Sequence, residues 1–179
     1  MRRADNDRGY SLLETTVVLA IGLVLMMVSI QALRSAAGAA RVQGDALTVS
    51  RHLYMAKLRA GSDFTRSRLS IDTVANTYAV EILDRATSTW VADVGPVLLG
   101  PGVAFGSGAV ATPLPGLPDL TPQHPIIFNS RGMPVDSTGV PTGLYAVYLT
   151  DGSRVFAIRV SLGGRPTTLE FRGGAWSEI

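Results

Sequence analysis

Arg8-Gly9-Tyr10-Ser11-Leu12-Leu13-Glu14-Thr15-Thr16-Val17-Val18-Leu19-Ala20-Ile21 is the stretch on which the reading of the fold turns. Three arginines, Arg2, Arg3 and Arg8, stand at or before its start, and from Tyr10 to Leu33 the only formal charge is Glu14. A helix needs about 20 mostly apolar residues to cross a bilayer, and Thr15 to Leu33 meets that requirement. The arginines place the N-terminus on the cytoplasmic side by the positive-inside rule, so the rest of the chain is expected across the membrane. Glu14 is the anomaly. A carboxylate at the edge of such a span costs up to about 3 kcal/mol on insertion scales, and less at headgroup depth. Either it sits at that depth, or it meets a cation inside an assembly, because a buried charge is tolerable when paired.

The same residues resemble the type III signal sequence of type IV prepilins and pseudopilins. That pattern is a short basic leader ending in Gly, an aromatic residue, a small polar residue, two aliphatics and Glu. Here Glu14 is the fifth residue after Gly9, as in the family. Tyr10 replaces the commoner Phe, Ser11 the commoner Thr, and Thr15-Thr16 a more apolar pair, and none of these removes a needed group. The resemblance implies cleavage after Gly9 by a prepilin peptidase and methylation of the new amino group of Tyr10. It also implies pairing of Glu14 with the methylated N-terminus of a neighbouring subunit. The implied partners are other pilins or pseudopilins, the peptidase and an inner-membrane assembly platform. A secretory signal and a plain signal anchor compete with a prepilin leader. A secretory signal has a shorter apolar core and a small-residue cleavage site, which Ser35-Ala36-Ala37-Gly38-Ala39-Ala40 could supply, but cutting there discards Glu14. A signal anchor leaves Gly9 without a role. The first residue of the mature chain separates the three: Tyr10, a position near Gln43, or Met1.

Past the span, Val42, Ala46, Val49, Leu53, Ala56 and Ala60 recur at three- and four-residue steps, with Arg41, Asp45, Arg51, Lys57 and Arg59 on other faces. That spacing predicts a helix continuing to about Ala60, its apolar stripe packed on a sheet. Gly61-Ser62-Asp63 is the expected stop, Gly22 and Gly38 are expected points of bending, and His52 reads as a surface residue. From there the period falls to two, in Arg68–Asp72 and Tyr78–Ile82, with Thr87–Val91 β-prone. Leu144–Leu149 and Arg154–Val160 flank Asp151-Gly152, a strong hairpin signal, and Thr167–Phe171 adds a third strand. The expected fold is therefore α+β, a long helix packed on an antiparallel sheet. Its expected organisation is a leader over 1–9, a membrane half of the helix over 10–33, an amphipathic half over 34–61 and a head over 62–179.

Between Gly95 and Pro125 glycine and proline dominate, which predicts a long surface loop with a short strand at Val103-Ala104-Phe105. Its glycines lack the strand-to-helix setting and the lysine of a phosphate cradle. His124 ends the segment without a ligand set around it.

Ile126-Ile127-Phe128-Asn129-Ser130-Arg131-Gly132-Met133-Pro134, the Asp151-Gly152 hairpin and Val160-Ser161-Leu162-Gly163-Gly164-Arg165 resemble the GspH/FimT family. It contains a minor pseudopilin of type II secretion and a minor pilin of type IV pili. In these turns Phe128 is expected in the core, and Gly132 at positive φ. The resemblance to the secretion member implies an inner-membrane protein with a periplasmic head. Such a subunit joins the tip of a pseudopilus that moves as a piston under a cytoplasmic ATPase. The alternative is a FimT-like pilin for pilus assembly or DNA uptake. DNA-binding FimT-like pilins carry Gly-Arg-x-Arg, and Gly164-Arg165-Pro166-Thr167 lacks the second arginine. Arg159, Arg165 and Arg172 are the residues for any weak DNA contact, should the strands bring them together.

Composition narrows the classes further. The formal net charge is +2, and removing residues 1–9 leaves 13 basic and 12 acidic residues, so a nucleic-acid partner is not expected. With no cysteine there is no disulfide framework and no thiolate metal site. Only His52 and His124 could supply imidazole, and no nucleophile elbow or paired-carboxylate arrangement occurs. No enzyme activity, metal or cofactor is expected.

Overall fold

The computed structural model describes residues 12–117, 120, 125–143 and 145–179. Gly9, Tyr10 and His124 lie outside the described residues. The chain divides into two units, one ending at Ala37 and one covering Gly38–Ile179. A single helix, α1 (Leu12–Ser62), contributes to both and runs unbroken through Gly22 and Gly38.

In the first unit every residue from Leu12 to Arg34 is exposed, and the helix is a candidate membrane span. Three of its hydroxyls are satisfied locally, as a lipid surround would require. Thr15 Oγ1 donates to the Leu12 carbonyl at 2.9 Å, Thr16 Oγ1 to Leu13 at 2.8 Å, and Ser29 Oγ to Leu25 at 2.8 Å.

In the second unit the six residues of the expected stripe, Val42 to Ala60, are all fully buried. They face two antiparallel sheets. The first holds β1 (Ser67–Asp72), β2 (Thr77–Asp84), β3 (Thr89–Leu98), β5 (Ile126–Phe128) and β6 (Pro134–Val135), in the order β3-β2-β1-β5-β6. The second holds β4 (Ala104–Phe105), β7 (Tyr145–Thr150), β8 (Val155–Val160), β9 (Pro166–Arg172) and β10 (Ala175–Glu178), in the order β10-β9-β8-β7-β4. Leu69, Ile71 and Val80 of one sheet and Val147, Leu149, Phe156 and Ile158 of the other meet the helix stripe in a common core. Each fully buried Val, Leu, Ile or Phe there is worth about 1.5–3 kcal/mol. The expected α+β architecture is observed.

The expected hairpin is present, with Gly152 at φ +88° and Asp151 Oδ1 accepting from the Ser153 and Arg154 amides at 2.8 Å each. The Gly95–Pro125 segment departs from a plain surface loop. Gly95 and Pro96 continue β3, an edge strand, where a missing amide breaks no ladder. Leu99, Val103 and Phe105 enter the main core. The expected short strand forms as β4, paired with β7. Leu114 and Leu117 are buried with Ala146, Tyr148, Ala157 and Leu169 on the far face of the second sheet. Pro113 and Pro115 keep the stretch around Leu114 and Leu117 out of any strand, yet leave those leucines free to cover apolar sheet surface. Trp176 of β10 closes the cluster, its Nε1 donating to the Thr112 carbonyl at 3.0 Å.

α1 ends close to the expected stop, but not through Gly61. The Thr65 amide donates to the Ala60 carbonyl at 3.2 Å and the Phe64 amide to Gly61 at 3.4 Å, a Schellman ending. The left-handed residue it requires is Phe64, at φ +50° and 70% exposed. A side chain in that conformation costs about 1 kcal/mol, and this one packs on little. Phe64→Gly is expected to raise the stability of the full chain by about 0.5–1 kcal/mol, read from denaturant unfolding in detergent micelles. A lower midpoint would show that the aromatic ring contributes packing instead.

Candidate assembly interface

Glu14 lies in the first described turn of α1. It is the only acidic residue between Leu12 and Arg34. Around it Leu12, Leu13, Val17 and Val18 are exposed at 82, 72, 49 and 64%. A single carboxylate therefore stands on an otherwise apolar cylinder. What such a surface can do chemically is bury itself in lipid or against other helices, with the carboxylate seeking one cation.

The two motifs from the C-terminal half come together. Asn129 Oδ1 accepts from the Arg131 and Met133 amides at 2.9 and 3.1 Å, closing the turn between β5 and β6. Phe128 is fully buried and Gly132 takes φ +72°, as expected. The β8–β9 turn closes through the Ser161 amide donating to the Arg165 carbonyl at 3.0 Å and the Gly164 amide to Ser161 at 2.8 Å. Gly164, at φ +70°, lies directly against the Gly132 carbonyl, so that any Cβ there would overlap that oxygen. Lys57 spans both turns. Its Nζ donates to the Gly163 carbonyl at 2.9 Å, and its methylenes cover Gly132. One turn from each sheet is thus locked beneath the last turns of the helix.

The three arginines singled out for a DNA contact are not gathered into one patch. Arg159 pairs across the sheet with Ala146 and Thr167, on the face that carries Ala157 and Leu169. Arg165 instead lines a groove beside Ser50, Arg51 and Tyr54 of the helix. Arg172 ends β9, about 23 Å from Arg165 at roughly 3.3 Å per residue, and bonds Glu170 at 3.2 Å. Alternation of side chains across the pleat and the length of β9 separate Arg172 from the other two.

His52 sits on the intermediate flank of the helix rather than free on the surface. It is half-buried, and its Nδ1 lies 2.9 Å from the hydroxyl of the buried Tyr78. Burial, with the Asp45 carboxylate adding to it, pushes the Tyr78 hydroxyl up to about 12. The tyrosine therefore stays protonated at neutral pH, and its hydroxyl and His52 Nδ1 share one hydrogen bond. Burial holds the His52 pKa below its ordinary 6.5. The folded state then binds fewer protons than the unfolded chain, so this contribution is present above pH 6.5 and lost as pH falls through the folded value. Hydrogen bonds hold Asp84 and Asp136 below their ordinary 3.8, chiefly from the Ala86 amide and the Thr138 hydroxyl respectively. Their contributions are also lost on acidification, but below about pH 4. Thermal melting of the full chain is expected to shift downward between pH 7 and pH 5, and His52→Gln to flatten that part of the profile only. A profile unchanged by His52→Gln would contradict the assignment.

No family model and no curated protein matches this sequence. Among solved structures, the fold is similar to that of the minor pseudopilin EpsH from the type 2 secretion system of Vibrio cholerae. The TM-score is 0.50 at 10% sequence identity, over 75% of this chain and 99% of that one. A crystal structure of the same pseudopilin gives a TM-score of 0.42 at 12% identity, over 78% of this chain and 93% of that one. The first of these likenesses establishes a pilin-like fold.

Proposed function

We propose that this chain is a minor pseudopilin of a type II secretion system, built into the tip of a periplasmic pseudopilus through α1. The observation that carries the reading is one continuous helix. Its exposed, apolar N-terminal part bears a lone Glu14, and its C-terminal part is the core of a pilin-like head. In this reading the leader is removed after Gly9 and Tyr10 is methylated at its amino group. The Glu14 carboxylate then pairs with that amine on a neighbouring subunit, which offsets the cost of holding a charge in an apolar surround. The apolar span holds the subunit in the inner membrane until assembly. The head, on the periplasmic side, contacts other pseudopilins.

The test is the amount of extracellular enzyme released by a strain lacking this chain, with and without the wild-type chain supplied in trans. Loss of secretion restored by the wild type supports the pseudopilin role. Undiminished secretion overturns it and makes twitching and DNA uptake the assays that matter, as for a FimT-like pilin.

A further inference from the structure

The locked junction of the Gly132 and Gly164 turns carries a surface on each side of Lys57. One groove, of about 640 Å³, runs between Met55, Leu58 and Gly61 of α1 and the Ser130–Gly132 turn. The other, of about 470 Å³, lies between Ser50, Arg51 and Tyr54 of α1 and Arg165-Pro166. Met55 lines both, so they form one continuous face.

Its charge is one-sided. Arg51, Lys57, Arg59, Arg131 and Arg165 lie along it, and among the described residues neither groove is lined by Asp or Glu. Arg59 is neutralised by Asp93 at 2.9 Å. No carboxylate among the described residues forms an ion pair with Arg51, Arg131 or Arg165, and all three are exposed. Between these cations the floor is apolar: Tyr54, Met55 and Leu58 are exposed at 50, 41 and 54%.

We propose that this face docks an acidic segment of another protein chain, one that alternates carboxylates with apolar side chains. The carboxylates meet Arg51, Arg131 and Arg165, whose guanidinium forks suit bidentate pairing. The apolar residues cover Tyr54, Met55 and Leu58. The phosphate backbone of a duplex would satisfy the arginines but leave that floor uncovered, and a single strand has a ring to stack on only at Tyr54, not at Met55 or Leu58, so a protein segment fits better. Preorganisation adds to the fit. Both arginine-bearing turns are fixed by the Gly132–Gly164 contact and by Lys57, so little order is lost on docking. The proposal rests on reading the chain as a subunit of an assembly, but its test does not read secretion, so either can fail alone.

The test uses the full chain in uncharged detergent micelles and fluorescence anisotropy of labelled probes. These are a peptide of alternating Asp and Leu, its Lys-for-Asp counterpart, and a single-stranded oligothymidine; empty micelles are the blank. The Asp-Leu peptide is expected to bind and the other two not. The paired change Arg131→Glu with Arg165→Glu is expected to weaken binding by about tenfold or more, because charge reversal turns attraction into repulsion. The milder pair Arg131→Gln with Arg165→Gln is expected to fall between, and it carries the test if the reversed variant loses its circular dichroism signal. Oligothymidine binding as tightly as the peptide, peptide affinity unchanged by both arginine pairs, or no peptide binding at all would each overturn the proposal.

Discussion

Glu14→Ala is expected to abolish complementation of a secretion-deficient strain while leaving the amount of the chain in the membrane unchanged or raised. The two halves of that result come from one residue. Alanine removes a charge that costs up to about 3 kcal/mol to hold in an apolar span, so insertion becomes easier. In the proposed assembly the same change leaves the partner amine unpaired in a low-dielectric setting, a loss of about 3 kcal/mol or more and so roughly a 100-fold weaker association between subunits. Immunoblots of membrane fractions read the first quantity, and extracellular enzyme reads the second. Wild-type secretion by the Glu14→Ala strain would remove the assembly role of this carboxylate.

Gly164→Ala is expected to be the most damaging small substitution in the head. At φ +70° any Cβ is strained, and here it also overlaps the Gly132 carbonyl oxygen, a backbone atom that cannot swing away. Left-handed strain and overpacking together cost about 3 kcal/mol or more, which for a chain of this size lowers the melting temperature by roughly 6–12 °C. Gly152→Ala is the control. Gly152 also lies at positive φ, +88°, but nothing stands within 4 Å of its added Cβ. Its cost is therefore the strain alone, about 1 kcal/mol. Equal shifts for the two variants would show that the turns do not pack as described.

What could be read in the sequence was what repeats or what is out of place. The stripe from Val42 to Ala60 keeps a helical period over five steps, so its buried face was legible before any neighbour was known. The Asp151-Gly152 hairpin declares itself because few dipeptides make that turn. Glu14 stands out because a carboxylate breaks an apolar run. Its depth and any partner were not legible, since a single chain carries neither the membrane nor a neighbour.

The elements missed depend on contacts distant in sequence. Gly132 and Gly164 are 32 positions apart, and only the pairing of two sheets under one helix end brings them together. His52 and Tyr78 pair because β2 passes beneath the helix, a fact of sheet order that helical spacing cannot carry. Leu114 and Leu117 were obscured by the surrounding prolines, which signal a loop correctly but say nothing of what the loop covers. Their three-residue spacing, continued by the half-buried Leu120, was the signal that could have found them. The arginines show the same limit: Arg172 ends β9, far from Arg165, while Arg165 lines a groove with Arg51 of the helix, a neighbour that strand spacing cannot reveal.

The central claim, a pilin-type subunit processed at its leader, is tested most directly by the mass of the mature N-terminus. The chain would be purified from the membranes of the organism that makes it, and its N-terminal peptide sequenced by tandem mass spectrometry. The account predicts a chain that begins at Tyr10 and carries a methyl group on its amino nitrogen. A chain that retains Met1, or one that begins near Gln43 without Glu14, would contradict it.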